Sequence, residues 1–355
     1  MSSGTDVQSA VTHQVRRRDP VPLGAGILIA AVGAVVLAAM NGSYLGLTVT
    51  TGVGYAIVTV GMVLQLGYSR QLAFSQSVFM GLGAYGTGVL ETKYGFSSVE
   101  SLLAVIGLAA VAALLIGAVV TRAPGLALAL ATLLMPLFIY QLATYSNWLG
   151  SFSGINGVLP LLTGADYTAT LVQSGIVCAV LLGIAAAIVL RVIRSGVGLQ
   201  LMAMAEDERL AESLGISLRQ RRLEVFVIGS VLAAVGGAAI ASVQGLVTPD
   251  VLSETTQITL LLMVFVSGRK SIAGAILGAI VIEYLTTSTS FISTNIGIIE
   301  GIALLLILLV EPDGAAGAVD RLLGRRTDQW AAALRARVAE GLPARGARGG
   351  GGSGA

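Results

Sequence analysis

The chain has 355 residues, of which 55 % are apolar and only 11 % charged, and its formal net charge is +2. A soluble domain carries about a quarter charged residues, so the soluble class is excluded, and so small a net charge gives no reason to expect a nucleic-acid partner. Cys178 is the only cysteine, which excludes an internal disulfide and a thiolate metal centre.

In chain order, a polar tail holding Arg16, Arg17 and Arg18 precedes fifty consecutive residues, Pro20 to Ser69, without Asp, Glu, Lys or Arg. Further uncharged runs cover Gln71–Leu90, Ser101–Thr121, Ala123–Ala165, Tyr167–Leu190 and Val225–Pro249. A helix that crosses a bilayer needs roughly 20 mostly apolar residues. Breaks between the runs predict candidate spans at about 22–40, 45–66, 72–90, 101–121, 125–145, 168–190, 223–245, 251–267, 272–288 and 295–311. The first run is followed by no A-x-A-like cleavage site and is expected to be a retained helix. The eighth and ninth are short and also fit a broken or re-entrant pair. The expected fold is an all-α polytopic membrane protein with about 8 to 10 transmembrane helices.

The domain organisation follows. Residues 1–20 form an amino-terminal tail, 21–311 a transmembrane domain with its largest internal loop at about 191–222, and 312–355 a polar tail that ends in the flexible stretch GARGGGGSGA. With the amino terminus in the cytoplasm and sides alternating, 20 of the 21 Lys and Arg residues fall inside and Lys93 alone falls outside, the asymmetry that the positive-inside rule predicts. The outer side then holds Glu91, Glu100, Asp166, Asp250 and Glu254, and a long loop, 146–166, with Trp148 and Asn156.

Charge is concentrated in AEDERLAESLGIS, 205–217, where five of the seven residues from Glu206 to Glu212 are charged. The stretch predicts a helix of two to three turns, with Leu210 and Leu214 on one side, Ala203 seven residues before Leu210, and Glu208 and Glu212 on the other side. Gly215 is its expected stop, because glycine accepts the left-handed conformation of a helix end. On pattern alone, two readings stand: a connector between spans, or a helix that fits a groove on a cytoplasmic partner.

The pattern Glu206-Asp207-Glu208 through Ala211-Glu212 and Leu214-Gly215-Ile216, with its lead-in RSGVGLQLMA (194–203), resembles the coupling loop of the permeases of branched-chain amino acid ABC importers. GYSRQLAFSQSVFMGLGAY (67–85), LALALATL (126–133), SGINGV (153–158), Val247 to Asp250 and EPDG (311–314) resemble further segments of that family in the same order. The chain departs from the pattern at Arg70, Ser267 and Lys270, where glycines are usual, at Ala275 for a proline and at Gln76 for a histidine. The substrate is the point these changes put in question.

The resemblance implies a pathway subunit of an ATP-driven importer in the bacterial inner membrane, with both termini cytoplasmic. It implies a second homologous permease, two cytoplasmic ATPases and an extracytoplasmic substrate-binding protein as partners, and a small polar solute as cargo. The cargo class covers branched-chain amino acids and related small carboxylates or amides. No G-x-x-x-x-G-K-[ST] phosphate cradle occurs, so the chain is not expected to be an enzyme; ATP and Mg belong to the partners, and no cofactor or metal to this chain. Glu206, Asp207, Glu208, Leu210, Ala211, Glu212, Leu214 and Gly215 would couple to the ATPase. Trp148, Asn156 and Asp166 are candidates for meeting the binding protein, with ordinary loop surface as the alternative.

Candidates for the pathway or gate are Gln65, Arg70, Gln141, Lys270 and Glu283. Ionisable residues inside spans are functional candidates by default, which selects Glu283 and Glu300; a position near a helix end is the plainer reading of both. Gln65, Gln141 and Gln244 read first as interhelical hydrogen bonders. Arg70, Arg269 and Lys270 at an inner gate would favour an anionic cargo, although topology alone also explains them. The glycines at 81, 83, 86 and 88, and at 274 and 278, read as close helix packing. An ion- or proton-coupled secondary transporter is the rival, with only Glu283 and Glu300 available as a relay.

Overall fold

The computed structural model describes residues 43–71, 74–122, 125–164, 166–268, 270–288 and 296–310. The expected first span, both tails with their arginines, EPDG and Arg269 lie outside the described residues. Eleven α-helices are described. Helix α1 (Ser43–Met62) runs on into a π-helix (Val63–Tyr68). It is followed by α2 (Gln76–Tyr94), α3 (Ser98–Val120) and α4 (Gly125–Tyr145, with Pro136 inside it). After α5 (Tyr167–Arg194) come the short α6 (Gly196–Glu206) and α7 (Glu208–Ser213), and then the long α8 (Leu218–Gln244). The chain closes with α9 (Glu254–Ser267), α10 (Ile272–Ser288) and α11 (Ile296–Val310). Each of the nine expected spans that lie among the described residues is a helix. The all-α polytopic membrane fold is therefore the observed one, as hydrocarbon demands of a backbone that must satisfy its own hydrogen bonds.

Polar residues within the helices follow the same demand. The Thr50 hydroxyl donates to Gly46 O at 2.7 Å and the Thr121 hydroxyl to Gly117 O at 2.6 Å. Ser97 and Glu100 form a capping box at the start of α3. Tyr44–Tyr68, Ser98–Val120, Tyr167–Arg194 and Leu218–Gln244 are each long and apolar enough to cross a membrane. The pair α9 and α10 is shorter, at 14 and 17 residues. At 1.5 Å per residue neither reaches the roughly 30 Å of a hydrocarbon core, and a one-turn 3₁₀ segment, Pro249–Leu252, leads into α9.

Helix α8 is the centre of the molecule. It packs against α1, α2, α3 and α5, while α10 packs against α1 and α11 against α9. The most apolar stretches of α1 and α8 are 83 % buried inside the molecule, against 22 % for α3 and 39 % for α5. Backbone contact explains the tight centre: a Cβ on Gly83 would overlap the Ala234 carbonyl, and one on Gly237 would overlap that of Met80. Gly83 and Gly86 of α2 thus serve helix packing, against α8 and α3, whereas Gly81 lies against Leu252 of the 3₁₀ segment and Gly88 beside the β1–β2 pair. Gly278 likewise lies directly against Ser267, which closes the α9–α10 hairpin.

The two ends of the bundle differ. At the first, the loop between α4 and α5 carries a strand, β1 (Ile155–Asn156), that pairs antiparallel with β2 (Leu246–Val247) after α8. Glu91, 5 % exposed, accepts hydrogen bonds there from the Ser101 hydroxyl and the Leu159 amide, both at 2.7 Å. The second end gathers the π-helix terminus, α6, α7, the start of α8 and the α9–α10 turn. Tyr68 Oη donates to Lys270 O at 3.3 Å across it.

Candidate functional site

A cavity of about 510 Å³ opens near the first end. Its walls come from α1, α4, the 3₁₀ segment, α9 and α10. Three carboxyl groups line it, those of Asp250, Glu254 and Glu283, together with the hydroxyls of Ser253, Thr255, Thr256, Thr259 and Thr286. Tyr55, Leu137, Tyr140 and Gln141 complete the wall, and no Lys, Arg or His is among the described lining residues. Local structure fixes the acidic side. Ser253 caps α9 by accepting from the Thr256 amide at 3.1 Å, and the Thr256 hydroxyl donates to Asp250 O at 2.7 Å. Behind the wall, the Thr259 hydroxyl lies 2.8 Å from both carboxyl oxygens of Glu300, which is 2 % exposed.

Between the π-helix and α2, residues 69–71 and 74–75 are not helical, and polar groups collect there inside the protein. The Gln76 amide donates to Gln65 Oε1, the Gln65 amide donates to Phe226 O of α8 at 3.3 Å, and the Ser77 amide donates to Gln257 Oε1 of α9 at 2.9 Å. Ser69, Gln71 and Ser75 are buried beside them, and their side chains have no hydrogen-bond partner among the described residues. Arg70 holds φ +47°, a left-handed conformation that glycine adopts most readily. This is the position at which the resembled family usually has glycine.

At the second end, Ser195 ends α5 and its hydroxyl accepts from the Val197 amide to start α6. The single helix expected from 205–217 is instead two helices, because Asp207 is extended (φ −149°, ψ 112°) and caps α7. Its Oδ1 accepts from the Arg209 and Leu210 amides at 2.8 and 3.1 Å. A short carboxylate this near the backbone competes with helix continuation, so Ala203 and Leu210 sit on different helices. The stop at Gly215 is as expected. It holds φ +80°, with Gly215 N donating to Glu212 O and Ile216 N to Ala211 O, the paired bonds of a Schellman end.

Ala211 is buried at 1 % exposure, while Leu210 and Leu214 are 60 % and 70 % exposed. Helix α7 is therefore tied on one side and bare on the other. Glu208 pairs with Arg222 of α8, and Arg70 donates to Ala205 O at 2.8 Å and approaches Glu206 to 4.0 Å. Glu212 is exposed.

The residues singled out from sequence thus divide. Gln141 and Glu283 meet in the cavity, Gln65 is buried in the polar break, and Arg70 and Lys270 lie exposed at the opposite end. Trp148, Asn156 and Asp166 are exposed at the cavity end; the Trp148 carbonyl accepts from Lys93 Nζ, which also lies 4.6 Å from its ring centroid. Tyr55, Tyr140, Thr259 and Thr286 escaped sequence reasoning because they come from separate helices. The run Ser253-Glu254-Thr255-Thr256 ahead of an apolar helix was the available signal for the α9 wall.

A family model described as branched-chain amino acid transport system / permease component matches residues 43–310. Among curated proteins, the chain is similar to the high-affinity branched-chain amino acid transport system permease protein LivM of Escherichia coli (strain K12). The two are 27 % identical over 253 residues, covering 64 % of this chain and 59 % of that protein. LivM of Salmonella typhimurium is 25 % identical over 252 residues, with the same coverage. The permease protein LivH of Escherichia coli (strain K12) is 31 % identical over 125 residues, covering 35 % of this chain and 40 % of its own length. The chain spans about three-fifths of the length of the LivM relatives. No solved structure matches it.

Proposed function

We infer the function of this chain from its family: it belongs to the branched-chain amino acid transport permeases, and we propose that it forms half of the pathway of an ATP-driven importer. A second, related permease faces it, two ATPase subunits dock at the α6–α7 end in the cytoplasm, and a substrate-binding protein delivers a small polar solute at the cavity end. The observation that carries this reading is α7 itself, a short capped helix whose leucines 210 and 214 face outward while Ala211 anchors it.

The contacts supply a route for force. Closure of the ATPase pair presses on α7, and the Glu208–Arg222 pair and Ala211 pass the load into α8. Arg70, which grips Ala205 O, passes it to the break between α1 and α2. The routes end on α8 and on α1, the most deeply buried of the four long spans, so the cavity changes its access as they tilt. ATP and Mg act on the partner subunits; this chain contributes the pathway and the lever.

The test is co-expression with the ATPase subunits. Replacing Leu210 and Leu214 by glutamate should leave the permease folded and at normal abundance, yet remove ATPase co-purification and ATP-driven uptake. Unchanged co-purification sinks the docking assignment. Glu283 in the cavity favours one second reading, an ion-coupled carrier; uptake driven by a proton gradient without ATP or ATPase subunits would establish it in place of the first.

A further inference from the structure

We propose that the cavity selects solutes that carry an ammonium or other cationic nitrogen and excludes free carboxylates, a deepening that rests on the pathway reading above. Three carboxyl groups from three elements face one space of about 510 Å³, and no basic side chain among the described residues answers them. They form a sequence in depth: Asp250 and Glu254 are exposed at the mouth, and Glu283 is half-buried further in. A cleft lined by one sign of charge between low-dielectric walls concentrates the opposite ion.

A second observation is independent of the carboxyl groups. Tyr85 is 6 % exposed and its hydroxyl has no hydrogen-bond partner among the described residues. It packs in one cluster with Leu252, Val251 and Tyr140, the last of which lines the cavity. A buried phenol without a partner is uncommon, and this one, in the cluster behind Tyr140 of the wall, leaves a hydroxyl for polar matter from outside the chain to satisfy. The hydroxyls of Thr256 and Thr259 already donate to Asp250 O and Glu300, so neither is free to donate to a ligand's carboxylate.

The consequence for cargo is specific. An amino acid binds here through its ammonium group, and its carboxylate is met by the facing permease. Amines and amino amides are accepted, and simple carboxylates are turned away. The sign is opposite to that expected from Arg70 and Lys270, which lie at the far end and outside this cavity.

The experiment needs no knowledge of the natural cargo. Thr286, on the cavity wall, is replaced by cysteine in the full chain in membrane vesicles; native Cys178 is fully buried. Modification rates are measured with a trimethylammonium methanethiosulfonate and with the sulfonate analogue, each divided by its rate on a free small thiol. The cationic reagent is expected to be favoured by about tenfold or more, with the preference falling several-fold when Asp250→Asn and Glu254→Gln are added at the exposed mouth. Equal normalised rates, or a preference indifferent to those two changes, overturn the selectivity while leaving the pathway reading standing. If neither reagent reaches position 286 although both modify an Asn156→Cys control, the cavity is closed to water, and the pathway reading and this proposal fall together.

Discussion

The end that carries Glu91 and the β1–β2 pair is closed by bonds between distant parts of the chain, whereas the end that carries α6 and α7 holds its short helix by a local cap, one buried alanine and exposed ion pairs. At the first, residues 91, 101 and 159 share one buried carboxyl group, and strands 90 residues apart are paired. At the second, the Arg70–Glu206 and Arg222–Glu208 pairs each have a partner that is more than half exposed, and leucines 210 and 214 are exposed. On the proposed function, one end keeps its shape around a cavity and the other receives a partner. The contrast locates rigidity and responsiveness at opposite faces of a bundle whose helices join them.

The largest effect is expected where the two ends are joined. Gly83→Leu drives a side chain into the Ala234 carbonyl. Overpacking costs about 1–3 kcal/mol and occasionally more, and backbone cannot move aside as a side chain can. Loss of the folded, monodisperse species by size-exclusion chromatography is the expected result, and normal behaviour would mean that α2 and α8 do not touch as described.

Next comes the closed end. Glu91→Ala orphans the Leu159 amide and the Ser101 hydroxyl, at about 1–3 kcal/mol for each buried group left unpaired. Hydrogen exchange at residues 155–161 should accelerate strongly while residues 208–216 are unchanged; equal acceleration at both ends would erase the contrast. At the open end, Asp207→Ala removes the α7 cap, worth about 1 kcal/mol, and should speed exchange in α7 alone while weakening ATPase association. The smallest effect belongs to Glu208→Gln. Its pair with Arg222 has a 58 % exposed carboxylate side chain, and exposed pairs contribute about 0–1 kcal/mol. Thermal stability should barely move, and a large drop would mean that α7 is far more firmly tied than its exposure implies.

Much of this architecture was legible in the chain because the bilayer leaves few choices. A run such as Tyr167–Leu190 without charge has to be a helix in lipid, and α5 covers it. Which helices sit inside was not legible from apolarity: α1 and α8 are the more buried and the less apolar of the four long spans, α3 and α5 the reverse. Lipid is as apolar as leucine, so the interior takes the small and polar residues that allow backbones to meet. Gly83 signalled this in sequence; Gly237 on α8, and Gln71 and Ser75, buried in the break, did not.

The candidate site divides in the same way. Gly215 could be read as a helix end because its requirement is local. Asp207 could not be told from its acidic neighbours, since whether it caps a helix or decorates one depends on a single pair of backbone angles. Glu283 and Gln141 stood out as polar residues within apolar runs, but their meeting in one cavity with Tyr55 and Asp250 depends on how α1, α4, α9 and α10 come together. That arrangement is tertiary and has no short-range signature.

The assignment of the two faces is tested most directly by labelling single cysteines in intact spheroplasts with a membrane-impermeant maleimide, in a Cys178→Ala background. Asn156→Cys should label from outside, and Ser213→Cys on α7 only after the membrane is permeabilised. Labelling of position 213 in intact cells, with position 156 protected, would place the exposed leucines beyond the reach of any cytoplasmic ATPase and contradict the account at its root.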